Sequence, residues 1–218
     1  MKTKTRGERL IREMLSDPAR FNGNELLKEY FAGFPLETLR PLLASADRMV
    51  RRVAVWIASE LGKEARPLIH EAVSLVHDPE RYIRAYALDI IAVCSLAEDA
   101  DKYVHVVRSL EDGDEVIRVQ AMFLMSNAYA SQLQTAAQSF GVAAPSDKLH
   151  KKWLSQLAAE RLNAGAISSM IDSPEPLLRR YGAIAAWRCH DRLPELVSHL
   201  ALSTDSDIRK FWERRASR

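Results

Sequence analysis

Glycine, cysteine and long apolar runs are all scarce in this sequence, and each scarcity argues against a class of protein. Only 8 of the 218 residues are glycine, and Gly-rich strand–turn patterns are absent. The two cysteines, Cys94 and Cys189, lie far apart in apolar segments and belong to no CxxC motif. This argues against a disulfide framework and fits buried thiols in a reducing compartment. No run of 18 apolar residues exists, so we expect no membrane span.

Signals for secretion are also missing. Residues 1–12 are charged throughout and contain no apolar core of a signal peptide. We therefore expect a cytoplasmic protein. A chain of this length can bury one hydrophobic core without disulfides or metals.

Signatures of catalysis and of cofactor binding are absent as well. The sequence contains no GxSxG, no P-loop, no GxGxxG and no HExxH. His70 and His77 share a helix face but are separated by about 10 Å, too far to ligate one metal ion. Cys189 and His190 are adjacent on a helix and so point in different directions. We expect no catalytic residue, no metal and no cofactor, and hence a protein that is not an enzyme.

Charge is distributed unevenly along the chain. Residues 1–147 hold 18 Lys and Arg against 21 Asp and Glu, whereas residues 148–218 hold 13 against 8. Such asymmetry can mark a surface that binds nucleic acid or an acidic partner. A solvated basic surface explains it equally well.

One short pattern recurs along the chain: an apolar residue, an arginine, and a small residue three positions later. Six residues before each arginine stands a Ser or Asp, residue types that accept backbone hydrogen bonds at turns. The arginines are 33, 34, 61 and 30 residues apart, so the longest interval predicts a divergent or inserted unit. The copies are Arg51 with Ala54, Arg84 with Ala87, Arg118 with Ala121, Arg179 with Gly182, and a degenerate last copy, Arg209 with Trp212.

Each unit is predicted to be a helix A, a short polar turn and a helix B. We expect the small residue to let the two helices approach closely, and the arginine to reach acidic or carbonyl groups of the preceding turn. One helix pair cannot bury both of its apolar faces, but stacked pairs can. The helix A segments are predicted at 36–44, 67–76, 103–110, 166–171 and 196–202.

The spacing Asp-x5-Arg-x2-Ala resembles the HEAT repeat. The resemblance implies an all-α protein, specifically a right-handed α-solenoid of HEAT-like helix pairs. The chain would then be a single domain over 1–218, with a helical cap over 1–34, five to six helix pairs over 35–212 and a basic tail over 213–218. The two matching copies are Asp78, Arg84 and Ala87, and Asp112, Arg118 and Ala121.

A narrower resemblance covers residues 21–43 and 51–69. These segments, FNGNELLKEYFAGFPLETLRPLL and RRVAVWIASELGKEARPLI, are similar to small bacterial HEAT-type proteins of toxin-immunity loci. The resemblance implies an immunity protein that neutralises a cognate toxin by occluding it, with no chemistry of its own. The expected partner is therefore another protein, such as a toxin domain.

The B helices predict where such a partner binds. At 100° per residue, positions −1, +3, +6, +7 and +10 from each repeat arginine form a core face. The opposite face carries large side chains, and a mixture of Trp, Phe and Arg is typical of interface hot spots. Burial of the same aromatics between neighbouring helices is the alternative. The predicted partner contacts are Arg52, Trp56, Asp89, Phe123 and Trp187.

Two other functions stay open at this point. HEAT-like DNA glycosylases hold damaged DNA on a concave face that carries Trp, Arg and a catalytic Asp. The basic C-terminal half therefore makes nucleic-acid binding or base excision the alternative, although the tryptophan-rich catalytic segment of that family has no counterpart here. A HEAT-like lyase or chaperone is the third hypothesis.

Overall fold

All regular secondary structure that the computed structural model describes, over residues 5–141 and 144–217, is helical. The prediction of an all-α fold is therefore confirmed. The chain divides into two compact units, Met1–Cys94 and Ser95–Arg218, where the sequence predicts one domain. In the described ranges, no helix combines the length and apolarity needed to cross a membrane.

The first unit is made of short helices joined by tight turns. They are α1 (Arg6–Ser16), α2 (Gly23–Phe31), α3 (Arg40–Leu43), α4 (Arg48–Glu60), α5 (Ile69–Leu75) and α6 (Arg81–Cys94). α1 packs on α2, α2 and α3 pack on α4, and α4 and α5 pack on α6. The predicted core face of α4 and α6 is confirmed, because Val50, Ala54, Ile57, Ala58, Leu61, Ile83, Ala87, Ile90, Ile91 and Cys94 are all buried.

The second unit also consists of short helices. They are α7 (Ala100–Arg108), α8 (Glu115–Ser126), α9 (Ala130–Ser139), α10 (Pro145–Ala158), α11 (Ala164–Ile171), α12 (Pro176–Arg188), α13 (Pro194–Ala201) and α14 (Ser206–Ala216). The packed pair α9 and α10 fills the long interval between the first and second repeat turns of this half, where the spacing predicts a divergent or inserted unit. α8 packs on both α12 and α14.

The predicted tail over 213–218 is wrong at its start. α14 continues to Ala216, so residues 213–216 are helical rather than an appended basic tail. This places Arg214 and Arg215 on a helix that packs against α8. Residue 218 lies outside the described residues.

The turns that precede the B helices share one pattern of hydrogen bonds. A Ser or Asp side chain accepts a hydrogen bond from the backbone N–H two residues later, and the residue at that position caps the helix with its own carboxylate. The two bonds together satisfy N–H groups that a helix start leaves without partners. The first bond, at 2.8 to 3.2 Å, is made by Ser45, Asp78, Asp112, Ser173 and Ser203. The capping carboxylates are Asp47, Glu80, Asp114, Glu175 and Asp205.

The first four repeat arginines reach back to their own turns, as their position six residues after the turn residue predicts. In each of these four, Nη1 donates to two successive backbone carbonyl oxygens, at 2.8 to 3.3 Å, and a charged donor makes these bonds stronger than neutral ones. The acceptors are Ser45 and Ala46 for Arg51, Asp78 and Pro79 for Arg84, Asp112 and Gly113 for Arg118, and Ser173 and Pro174 for Arg179.

The small residue of the first four copies is buried between helices. Ala54, Ala87 and Ala121 are fully buried. A Cβ added to Gly182 would lie 2.7 Å from the backbone nitrogen of Ile171 in α11, so only glycine allows α12 to approach this closely.

Candidate functional site

The five predicted partner contacts fall in two different units. Arg52, Trp56 and Asp89 belong to the first unit, and Phe123 and Trp187 belong to the second. The two groups have different surroundings, so each is described within its own unit.

Phe123 is buried, and its prediction as an exposed partner contact is wrong. Only 8% of the residue is exposed. The guanidinium groups of Arg214 and Arg215 lie 4.2 and 4.1 Å from the centre of its ring. The backbone oxygen of Phe123 also accepts a hydrogen bond from Arg215, at 3.0 Å. The last helix, α14, therefore covers the side of α8 that the sequence predicts to be open.

Trp187 is half-buried and its ring is also engaged within the second unit. It stacks on His190 with 5.1 Å between ring centres and meets Phe211 of α14 edge-on at 6.3 Å. The guanidinium of Arg215 lies 5.0 Å from the same ring. Because of these contacts, less of the indole surface is accessible to a partner than the position of Trp187 on its helix predicts.

A buried carboxylate joins the three helices of this region. Asp207 of α14 is 2% exposed and accepts hydrogen bonds from Arg118 of α8 and from Arg180 of α12, at 2.7 to 3.0 Å. Burial by itself would raise the pKa of Asp207, but the two arginines outweigh it and lower that pKa below its ordinary value. Sequence analysis missed Asp207 because it lies two residues before the degenerate arginine, in a copy whose pattern is weakest.

The basic segment of the chain is neutralised inside its own unit. Residues 95–218 hold 16 Lys and Arg and 16 Asp and Glu. The positive segment 148–218 and the negative segment 95–147 thus belong to one compact body, and Lys210 pairs with Glu115 between them. The asymmetry seen along the sequence therefore does not give the second unit a net positive charge.

The first unit presents a different surface, formed by one side of α4 and one side of α6. We call it the α4–α6 face, and it consists of Arg52, Trp56, Tyr82, Tyr86 and Asp89. Tyr82 is 39% exposed, and the guanidinium of Arg52 stacks 4.6 Å from the centre of its ring. Within the described residues Arg52 makes no ion pair. Its neighbour Arg51, in contrast, donates to Asp78 at 2.9 Å and to two carbonyl oxygens.

Trp56 is half-buried on this face and rests on the start of α2. A Cβ built on Gly23 would lie 2.6 Å from Cζ3 of the indole, so the glycine leaves the space that the ring occupies. One side of the ring is therefore packed against the N-terminal helices.

The charges around Tyr86 show that both helices contribute to one electrostatic environment. Partial burial raises the pKa of the Tyr86 hydroxyl. The positive charge of Arg52 opposes this rise, and the negative charges of Asp89, Glu60 and Glu80 add to it. Tyr82 and Tyr86 were not predicted, because they lie at positions −2 and +2 from Arg84, beside the positions assigned to the opposite face. Their spacing of four residues was the available signal.

Two other groups of polar residues have the appearance of a site. A cleft of about 520 Å³ in the second unit is lined by two pairs, Arg179 with Asp205 at 2.7 Å and His199 with Asp172 at 3.0 Å. The polar groups of each pair are hydrogen-bonded to each other. In the described part of the chain, no group of three or more His, Cys, Asp or Glu side chains could hold a metal ion.

The second group is a buried relay of three side chains. His150 of α10 is 1% exposed, and its ring nitrogens lie 2.8 Å from the Tyr181 hydroxyl and 2.9 Å from the Glu111 carboxylate. Burial lowers the pKa of His150, against the charge of Glu111, which raises it. Since both ring nitrogens have partners and the ring is enclosed, the relay links α10 to α12 and has no room for a substrate.

No family model matches the chain, and no curated protein matches it. Among solved structures, the crystal structure of an engineered protein is 14% identical and covers 84% of this chain and 95% of its own, with a TM-score of 0.39. A TM-score this low carries no argument about fold or function.

Proposed function

We propose that this protein is a protein-binding module that docks its partner on the α4–α6 face of the first unit and performs no chemistry of its own. The observation that carries the proposal is the contrast between Arg51 and Arg52. Arg51 is engaged by a carboxylate and two carbonyl oxygens, whereas Arg52 stacks on a partly exposed tyrosine and has no ion pair among the described residues.

The composition of the face supports this function. Trp, Tyr and Arg are the residues most enriched in interface hot spots, because they combine large contact area with hydrogen-bonding groups. All three types are adjacent here, on two helices that pack on each other. A rigid platform reduces the entropy that binding costs.

The finer proposal is an immunity protein of HEAT-type helix pairs that occludes a toxin. It rests on the resemblance of residues 21–43 and 51–69, and both segments lie in the unit that carries the face. Occlusion requires only a tight and specific surface, which agrees with a face that lacks the geometry of a catalytic site. The repeated turn and its arginine, present in both units, support HEAT-like helix pairs.

Nucleic-acid binding is the weaker alternative. Phosphate contacts require cationic side chains that are available to the ligand. In the second unit, Arg118 and Arg180 donate to Asp207, Arg179 donates to Asp205, and Arg188 donates to the carbonyl oxygen of Ala128 at 2.7 Å. These cations are committed to the fold.

Affinity capture from the native host tests the proposal. The wild-type chain and the double variant Arg52→Ala/Tyr82→Ala are immobilised side by side, with Arg161→Ala/Tyr129→Ala as a matched control that removes the same residue types from exposed positions of the second unit. We expect a protein that wild type and control retain and the face variant loses. The captured protein is then purified and its affinity measured directly. Equal retention by all three chains contradicts the proposed face.

A further inference from the structure

The cleft of the second unit lies between two successive repeat turns. One side is formed by Asp172 and Ser173, which precede α12, and the other by Ser203, Thr204 and Asp205, which precede α14. Its volume is about 520 Å³. Small-molecule sites in proteins typically measure about 300–1,000 Å³, so the cleft is large enough for a ligand of that kind.

A serine in the second of these turns explains why the space is open. In the first unit, the turn residue Asp78 accepts a hydrogen bond from Nε of Arg51, so its carboxylate lies against the arginine of the preceding repeat. The corresponding turn residue in the second unit is Ser203, whose side chain ends one atom beyond Cβ. Arg179 donates instead to Asp205, two residues further on, at 2.7 Å. The space that a carboxylate occupies in the first unit is therefore part of the cleft.

The lining of the cleft keeps hydrogen-bonding capacity that the fold does not use. Nε and Nη1 of Arg179 donate to Asp205 and to two carbonyl oxygens, but Nη2 donates to no residue that the structure describes. The hydroxyl groups of Ser173 and Ser203 each accept a backbone N–H, and neither donates within the described ranges. Thr204 is exposed, and its hydroxyl makes no hydrogen bond to the described part of the chain. The cleft therefore presents one cationic donor and three hydroxyl groups.

The charges around the cleft favour a neutral ligand. Arg179 and Asp205 form an ion pair at 2.7 Å, and Asp172 is bonded to His199 at 3.0 Å. An anion would be repelled by the carboxylate of Asp172, and a cation would be repelled by the guanidinium of Arg179. The second oxygen of Asp172 can accept a hydrogen bond, whereas Nη2 of Arg179 can only donate. A ligand that satisfies both groups must donate and accept without carrying a net charge.

Hydroxyl groups meet this requirement, because each of them both donates and accepts. Leu202 lines the same cleft with 83% of its surface exposed, and so offers an apolar contact for C–H groups. We infer that the cleft is a binding site for a neutral polyhydroxylated molecule of the size of a monosaccharide or disaccharide. The site lies entirely in the second unit, so the inference goes beyond the proposed docking function of the α4–α6 face.

Ligand-observed NMR with saturation transfer from protein methyl groups tests this site, because Leu202 and Thr204 supply methyl groups to the cleft. The probes are the methyl glycosides of glucose, galactose and mannose, together with myo-inositol. We expect at least one of them to bind with a dissociation constant on the order of 1–10 mM, since so small a ligand makes few contacts. Acetate, ethylammonium and N-methylacetamide probe anionic, cationic and amide chemistry, and should bind at least about tenfold more weakly.

Two variants with a matched control locate the bound probe. Ser203→Asp introduces the residue type that the first unit has at Asp78, so it should stay folded, and it should abolish saturation transfer by filling the cleft. Thr204→Val removes one hydroxyl group from the lining and should weaken binding about fivefold, the effect of a single hydrogen bond. Thr135→Val removes a hydroxyl group from α9, outside the cleft, and should leave binding unchanged.

Three results would overturn the inference. The first is a glycoside or inositol whose binding is unchanged in Ser203→Asp, because it must be bound outside the cleft. The second is preferential binding of acetate, ethylammonium or N-methylacetamide. The third is the absence of saturation transfer to every glycoside and to inositol at about 20 mM. Thermal unfolding checks that each variant is folded. If Ser203→Asp is not, the comparison of Thr204→Val with Thr135→Val decides, and equal binding by these two contradicts the site.

Discussion

Gly23 faces the indole ring of Trp56, and the space that its missing side chain leaves is filled by that ring. A Cβ at this position would lie 2.6 Å from Cζ3, closer than atoms in contact can come. This pair joins the first helical turn of α2 to the middle of α4. It therefore connects the N-terminal helices to the proposed docking face.

Replacing Gly23 by alanine should destabilise the protein, although alanine favours helices over glycine by about 1 kcal/mol. The added methyl group must push the indole aside, and such overpacking typically costs about 1–3 kcal/mol. Gly165→Ala is the matched control, since Gly165 also lies in the first turn of a helix and its Cβ would have only an ordinary contact at 3.7 Å. Urea unfolding should show Gly23→Ala below wild type and Gly165→Ala at or above it. Equal behaviour of the two variants would contradict the close packing of Trp56.

Removing the indole should affect both folding and binding, because Trp56 is half-buried. We expect Trp56→Ala to lower the free energy of unfolding by about 1–3 kcal/mol, less than the 3–5 kcal/mol typical of a fully buried aromatic. Affinity for the partner should fall by about 2 kcal/mol or more, the scale of a hot spot. Unfolding midpoints and partner affinity are measured on the same variant. A folded Trp56→Ala that binds normally removes Trp56 from the docking face.

The adjacent residues Arg51 and Arg52 should respond to mutation in opposite ways. Arg51→Ala removes charged hydrogen bonds to Asp78 and to two carbonyl oxygens, so we expect a loss of about 1–3 kcal/mol of stability. Arg52→Ala should change stability by less than about 0.5 kcal/mol, as is usual for surface positions, and should weaken partner binding. Chemical unfolding and a binding assay on both variants test this. If Arg51→Ala loses its partner at full stability, the repeat arginine belongs to the binding site.

Asp207 should be among the most sensitive positions in the second unit. Asp207→Ala leaves Arg118 and Arg180 without their shared carboxylate, and breaking a buried charge pair costs about 3–5 kcal/mol. Asp191→Ala, which removes an exposed carboxylate, is the control.

The lowered pKa of Asp207 also makes the stability of the second unit depend on pH. Its stabilisation is complete above the ordinary pKa of 3.8 and is lost as pH falls through the lower pKa of the folded state. If Asp207→Ala is as stable as wild type, the carboxylate does not hold the three helices together.

His150 should make the second unit less stable in mild acid. Its pKa is lowered in the folded state by burial, so protonation favours the unfolded chain, and stability falls as pH drops below the ordinary value of 6.5. Protonation also makes Nδ1 a donor, which displaces the Tyr181 hydroxyl from its acceptor.

The charges that face the ring are those of Glu111, Asp147 and Arg108. His150→Gln should be less stable than wild type at pH 7 but should lose less stability between pH 7 and pH 5. Unfolding in urea at both pH values measures the difference, and the other histidines are common to both chains. Parallel loss of stability in the two chains would contradict a role for His150.

The repeat turns were predictable from sequence because every bond in them is local. The capping side chain binds a backbone N–H two residues on, and the arginine reaches carbonyl oxygens five and six residues back. The helical period then places positions such as Ala54 and Ala87 on the core face. Residue type and spacing are sufficient for contacts of this range.

The residues of the α4–α6 face were only half predictable, because some of their contacts join two helices. Arg52 and Trp56 follow from their angle on α4, but the stacking of Arg52 on Tyr82 depends on how α4 and α6 lie against each other. A helical wheel describes one helix at a time. It therefore cannot show that Tyr82, which lies beside the face predicted for α6, contacts a residue of α4.

By itself, the sequence determined the all-α class, the position of the turns, the structural role of the repeat arginines and the core side of α4 and α6. Only the tertiary structure decided which of the opposite sides are covered. Phe123 is buried because Arg214 and Arg215, about ninety residues later, lie over its ring. Asp207 likewise binds Arg118, 89 residues earlier, and Arg180, 27 residues earlier. Whether a helix face is buried depends on which other helix packs against it. The periodicity of one segment does not identify that helix.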